Sequence, residues 1–155
     1  MASLEVEIQS QEFASEQTKA VINILFTAQW LSNQMSGLLK PFGITHEQFN
    51  VLRILRGKHP EKMCQKDIQC RMIARQSNLT LILKKLVEKK LVGSSPSKID
   101  KRAYEIIILR KGLELLEKID IDSKKEFNHL TLLNTSEAFH LNALLDKLRT
   151  LAEEI

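Results

Sequence analysis

The chain has 155 residues, 43% of them apolar and 27% charged, and a formal net charge of +4 at pH 7. This is the balance of one globular domain with a core of its own, which excludes a disordered chain, and no run of about eighteen apolar residues offers a membrane span. Cys64 and Cys70 are too few for a disulfide framework and Met1–Ser10 has no basic n-region, so a cytoplasmic protein without a secretory signal is expected. The charge is unevenly spread. Lys58 to Lys111 holds 14 Lys or Arg against 5 Asp or Glu, a net of +9, whereas the rest holds 9 against 14, a net of −5. A basic middle between acidic arms has the form of a footprint for a polyanion, although a solvated Lys-rich surface would read the same way.

Gly and Pro are scarce, at 5 and 3 residues, and the apolar pattern is mostly helical. From Glu12 to Lys40 the positions Phe13, Ala14, Ala20, Val21, Ile24, Leu25, Ala28, Leu31, Met35, Leu38 and Leu39 form a long helical stripe. Ile22, Phe26 and Trp30, four apart, form a second one. A helix that is apolar on two sides has two partners, such as its own core and a second subunit or a ligand cavity. Ile22, Phe26 and Trp30 are therefore the candidate ligand-binding residues, with plain core packing as the simpler explanation of each.

Pro41 and Gly43 end that helix, and Thr45 with Gln48 reads as a capping box opening the next, which carries Phe49, Val51, Leu52 and Leu55. A short helix is predicted at about Gln65 to Met72, and another from Gln76 to Lys89 that buries Leu79, Ile82, Leu83 and Leu86. Two helices joined by a three- or four-residue turn fit a helix-turn-helix. The period then changes. Leu91-Val92 opens an extended run to Pro96, and Ala103 to Leu109 reads as a strand, with the polar tip Ser97-Lys98-Ile99-Asp100-Lys101-Arg102 between them. A β-hairpin directly after a helix pair is the layout of a winged helix. Helix resumes from Gly112, and Asn134 with Glu137 caps a last helix carrying Leu141, Leu144, Leu145, Leu148 and Leu151.

Catalysis finds no support: there is no Gly-rich phosphate loop, no GxSxG and no HExxH, and His46, His59, His129 and His140 are scattered. No metal, cofactor or enzymatic activity is expected. Cys64, at the start of the short helix between Lys62 and Lys66, has the setting of a redox-sensing thiol, but a free cysteine more often serves as a small hydrophobe. The richest segment is the helix after the turn. Opposite its buried stripe stand Ser77, Thr80, Leu81 and Lys84, flanked by Asn78 and Lys85 and preceded by Arg75 and Gln76. These groups read base edges or bind phosphates in a major groove, with Leu81 suited to a thymine methyl.

Gly43-Ile44-Thr45-x-x-Gln48-Phe49-x-Val51-Leu52-x-x-Leu55 resembles the second-helix signature of the MarR family of bacterial transcriptional regulators. Asp67-Ile68 through Ser77, Thr80, Leu86 and Leu91-Val92 is similar to that family's helix-turn-helix, Asp100-Lys101-Arg102-Ala103 to its Asp-x-Arg-Ala wing, and Lys111-Gly112 to its Lys-Gly after the second wing strand. The ordered set covers Pro41 to Ile119. Ile73 and Lys90 stand where the family commonly has Gly, Leu109 where a Thr cap is usual, Arg75 at a common Ser/Asp cap position, and Leu81 where Arg is frequent.

The resemblance implies a mainly α (α+β) winged helix-turn-helix with long N- and C-terminal dimerisation helices. In that arrangement residues 1–155 are one domain, 11–40 and 113–155 the dimerisation helices and 44–112 the DNA-binding lobe. It implies a homodimeric repressor on double-stranded DNA, released by a small-molecule effector. Arg102, held by Asp100, would reach the minor groove, and Lys98 and Lys101 would contact phosphates. The competing reading is a winged-helix module that binds protein without sequence-specific DNA binding.

Overall fold

A computed structural model of the chain describes residues 3–10, 12–97, 104–129 and 132–150, the stretch 123–129 by its backbone. By packing the chain divides into two units, Met1–Ser123 and Lys124–Ile155. The first begins with a short helix α1, Leu4–Glu7, and continues into α2, Glu16–Leu39. Lys19 Nζ lies 2.5 Å from Glu5 Oε1 and ties the two helices together. Its hydrogen bond, with those of the backbone and Ser3, holds the Glu5 carboxyl down to about 2. The predicted start of α2 was Glu12; Ser15 sets it later, because its hydroxyl accepts from the Thr18 amide at 3.1 Å.

A single 3₁₀ turn, Lys40–Phe42, leads to Gly43 at φ +66°, a left-handed position that a Cβ would strain. Helix α3, His46–Arg56, then starts at the capping box expected of Thr45 and Gln48. The Gln48 amide donates to Thr45 Oγ1 and the Thr45 amide to Gln48 Oε1, both at 3.3 Å. Next come β1, Met63–Cys64, α4, Gln65–Arg71, and α5, Leu79–Glu88. The hairpin strands are β2, Val92–Pro96, and β3, Tyr104–Ile108, followed by α6, Arg110–His129.

The three strands form an antiparallel sheet in the order β1-β3-β2. Met63 pairs with Ile106, and Val92, Ser94 and Pro96 pair with Ile108, Ile106 and Tyr104. Ile106, Ile108 and Val92 are buried on one face, while Tyr104 and Ser94, on that same face but further along the hairpin, are exposed. Strand β1 was not predicted. Two residues carry no period, and the strand exists only because β3 supplies its partner.

The core draws Val51, Leu52 and Leu55 from α3, Ile68 from α4, Leu79, Leu83 and Leu86 from α5, the sheet residues, and Leu116 and Ile119 from α6. From the 24 residues of α2, only Leu39 is buried. Leu25 stays 66% exposed and Trp30 43%, with Val21 and Leu31 also exposed and Ile22 and Phe26 half-buried. Among the described residues of the first unit, only the C-terminal end of the helix, Met35 and Leu39, packs on the core. An ion pair, Arg56 to Asp120 at 2.6 Å, joins α3 to α6.

Two contacts fix the end of α5. The Leu91 amide bonds to Leu86 O at 3.0 Å and the Lys90 amide to Val87 O at 2.8 Å, with Lys90 at φ +59° between them. This is a Schellman stop whose left-handed residue carries a side chain where glycine is the natural choice. Lys90→Gly is expected to stabilise the fold by about 0.5–1 kcal/mol, the strain of the Cβ less glycine's greater unfolded-state entropy. Urea unfolding measures it, and a loss of stability would contradict the assignment.

In the second unit α7, Thr135–Thr150, opens with a reciprocal cap: the Glu137 amide donates to Asn134 Oδ1 at 3.0 Å and the Asn134 amide to Glu137 Oε2 at 2.8 Å. This helix buries no residue, and Phe139, Leu141, Leu144 and Leu148 are all exposed.

Candidate nucleic-acid interface

Helices α4 and α5 are joined by the turn 72–78, and side chains from outside the turn hold it. Met72 is buried and extended, which stops α4. The Ile73 amide donates to Asn50 Oδ1 of α3 at 3.1 Å. The Gln69 side-chain amide donates to the carbonyls of Arg75 and, at 3.4 Å, of Ser77. Asn78 then caps α5 by accepting from the Leu81 amide at 3.1 Å. The helix therefore starts three residues after the predicted Gln76. Gln76 and Ser77 belong to the turn, Arg75 is not the cap, and Ser77 is half-buried rather than on an exposed helix face. Ile73 does not take a left-handed backbone, so the glycine common there is not required; its side chain is 78% exposed.

Within α5, Leu79, Leu83 and Leu86 are buried and Ile82 half-buried, as expected of the inward stripe. Thr80, Leu81, Lys84 and Lys85 are exposed together, Leu81 to 48%. Arg75, Gln76 and Asn78 are exposed beside them. Among the described residues Arg75, Lys84 and Lys85 have no acidic partner, whereas Lys58 pairs with Glu61 and Lys62 with Glu105, each at 3.4 Å. Arg75, Lys84 and Lys85 thus lack an acidic partner among the described residues, while Lys58 and Lys62 are engaged within the fold.

A cleft of about 440 Å³ separates α4 from the start of α5, with Lys66, Gln69, Cys70, Ser77 and Thr80 among its lining. Cys64 is not a bare thiol at a helix start: its Sγ caps α4, accepting from the Asp67 amide at 3.4 Å. Cys70 is exposed.

The stem of the wing is clamped by Glu105. Its carboxylate accepts from Lys62 Nζ and, at 3.2 Å, from the Ser97 hydroxyl, while Lys62 also donates to Ser95 Oγ at 3.1 Å. The tip residues Lys98, Asp100, Lys101 and Arg102 lie outside the described residues. At the other end Gly112 is packed so closely that a Cβ would collide with the Leu91 carbonyl and come within 2.8 Å of Ile108 Cγ1. Lys111 Nζ donates to Lys89 O at 3.1 Å, which closes the C-terminal end of α5. Lys89 itself reaches Gly43 O at 2.5 Å and Gln48 Oε1 at 3.1 Å. The positioning roles of Asn50, Gln69, Lys62 and Lys89 were not predicted, because each acts across 6 to 46 residues of sequence.

Among the described residues no helix is long and apolar enough to cross a membrane, and no group of His, Cys, Asp or Glu could hold a metal ion. The MarR family model matches residues 44–104. No curated protein matches the chain. Among solved structures, AbsC, a MarR family transcriptional regulator from Streptomyces coelicolor, is 18% identical with a TM-score of 0.80, covering 94% of this chain and 100% of its own. A mutant MarR from E. coli, complexed with operator DNA, is 24% identical with a TM-score of 0.78, covering 89% and 99%. BpsR from Bordetella bronchiseptica, whose DNA binding is regulated by 6-hydroxynicotinic acid, is 19% identical with a TM-score of 0.73, covering 84% and 98%. At these identities the likeness is one of fold. Residues 44–104 thus match the MarR family model, and the chain has the mainly helical winged-helix fold seen in those regulators.

Proposed function

We propose that this chain is a transcriptional regulator that binds an inverted-repeat operator as a homodimer, represses from there, and is released by a small ligand. The observation that carries the reading is the exposed cation set of α5 and its turn, next to a hairpin stem that leads into a basic tip. Lys84 and Lys85 suit phosphates, Thr80 and Asn78 suit phosphates or base edges, and Leu81 suits a thymine methyl. Arg75, Gln76 and Ser77 line the approach from the turn. For the tip, the family resemblance supplies the roles: Arg102 with Asp100 in the minor groove, Lys98 and Lys101 on phosphates. E. coli MarR supports the reading through its operator complex, and BpsR supports ligand control.

The dimer reading rests on α2 and α7. A 24-residue helix with one buried residue and a 16-residue helix with none each expose large apolar side chains, Leu25 and Trp30 on the first and Phe139 and Leu144 on the second. A second copy is the commonest partner for such surface. We assign residues 11–40 and 113–155 to dimerisation and 44–112 to the DNA-binding lobe, with Ile22, Phe26 and Trp30 facing either the partner copy or a ligand. The alternative, a winged helix that binds protein, draws on the exposure of Ile73 and Leu81.

Titration of a random-sequence duplex, followed by light scattering, tests both parts. The protein alone should scatter as about twice its 17.8 kDa chain mass. Duplex binding should weaken steeply with salt, as release of phosphate counterions requires. A monomer, or binding indifferent to salt, would count against the reading.

A further inference from the structure

The C-terminal end of α5 is gripped through a single residue. Lys89, the C-cap of that helix, is half-buried. Its ammonium donates to Gly43 O at 2.5 Å and to Gln48 Oε1 at 3.1 Å, and its carbonyl accepts from Lys111 Nζ at 3.1 Å. We propose that Lys89 is a positioning residue for DNA readout, fixing the orientation of α5 for specific contacts without touching DNA itself. This role rests on the DNA-binding reading; the tether itself does not.

The first argument is where the tether ends. Gly43 closes the turn that follows α2, Gln48 lies on α3, and Lys111 lies in the first turn of α6. These partners stand 46, 41 and 22 residues from Lys89 in sequence, so one residue ties α5 to three other elements. Gln48 is 2% exposed, and its Oε1 accepts from the Thr45 amide at 3.3 Å as well as from Lys89, so the capping box holds the acceptor still. The second argument is the choice of chemistry. Lys89 has no acidic partner among the described residues. Setting a half-buried ammonium against neutral oxygens costs desolvation that an apolar side chain of similar size would avoid. Leu83 and Leu86 hold α5 on the core, but apolar packing is non-directional. Hydrogen bonds are directional, and these fix one orientation of the helix.

Binding to random sequence runs on phosphate charge and tolerates a loosely held helix, whereas specific readout needs base edges met in register. Loss of the tether therefore lowers the preference for the selected sequence and spares the general attraction to DNA. A lysine that contacted phosphate would instead reveal itself in the salt slope. One that only added stability would alter the preference no more than any other destabilising change.

The test compares the full chain with Lys89→Met and with Ile106→Val, the latter a buried sheet residue whose shortening lowers stability without touching the tether. Hydrogen exchange is measured without DNA. Affinity is measured at several salt concentrations on a fragment that the protein selects from its own genome and on a random duplex. Lys89→Met should speed exchange of the Leu83, Leu86 and Val87 amides about tenfold relative to those of α3, the order expected of one or two lost hydrogen bonds. It should weaken the selected fragment about tenfold, change the random duplex by less than about twofold, and leave the salt slope within about half a unit. Ile106→Val should keep the preference of the parent. Unchanged exchange, equal losses on both duplexes, a slope smaller by about one unit, or the same loss of preference in Ile106→Val would overturn the role. A parent that binds neither duplex would defeat the DNA-binding reading and the readout role with it, while the exchange measurement would still report on the tether.

Discussion

Reversing both exposed lysines of α5, Lys84→Glu with Lys85→Glu, should weaken duplex binding about a hundredfold or more at physiological salt. The proposed dimer would carry four such reversals, each turning an attraction for phosphate into a repulsion. The slope of log affinity against log salt should shrink by about 2–4 units, close to one for each phosphate no longer neutralised. Neither lysine has an acidic partner among the described residues and both are exposed, so folding stability should fall by less than about 1 kcal/mol, mainly through Lys85 near the helix C-terminus. Binding isotherms at several salt concentrations, with urea unfolding of the same variant, separate the two effects. Affinity and slope matching the parent would remove α5 from the interface.

Gly112→Ala should have the largest effect on the fold. Alanine within a helix ordinarily stabilises it by about 1 kcal/mol relative to glycine. Here the added Cβ meets the Leu91 backbone carbonyl and the Ile108 side chain. The carbonyl is pinned by the Leu109 amide at 3.0 Å and cannot swing aside as a flexible side chain would. Relief requires α6 to move away from the junction of α5 and the sheet, and overpacking of this kind costs about 2–3 kcal/mol. Because the displaced segment holds the base of the wing, DNA affinity should fall as well. Unfolding midpoints of parent and variant decide it, and unchanged or improved stability would show that the close approach is not needed.

Much of the fold was legible in the sequence wherever local chemistry and the structure agree. Thr45 and Gln48 form their box, Asn134 and Glu137 cap the last helix, and Leu79, Leu83 and Leu86 face inward. The hairpin was readable from its change of period, and Gly112 from its place in the family pattern. What failed was set by partners distant in sequence. Strand β1 is a product of pairing with Ile106 and Glu105. The start of α5 is decided by Gln69 and Asn50 gripping the turn, while Gln76 and Ser77 have nothing against helix in themselves. Lys90 takes a left-handed backbone because the Schellman stop demands it, although its residue type argues otherwise.

The candidate site divides along the same line. The shared exposure of Thr80, Leu81, Lys84 and Lys85 was legible because a buried stripe identifies its opposite face. Helix α2 showed its double stripe, yet the extent of its exposure follows from a core that meets only the end of the helix, at Met35 and Leu39.

The central claim, two recognition helices docked by one dimer, is tested most directly by footprinting on a fragment that the protein selects from its own genome. The account predicts two protected half-sites related by an inverted repeat, with centres about 10 base pairs or roughly 34 Å apart. Protection of a single half-site, or selected fragments without two-fold symmetry, would contradict it.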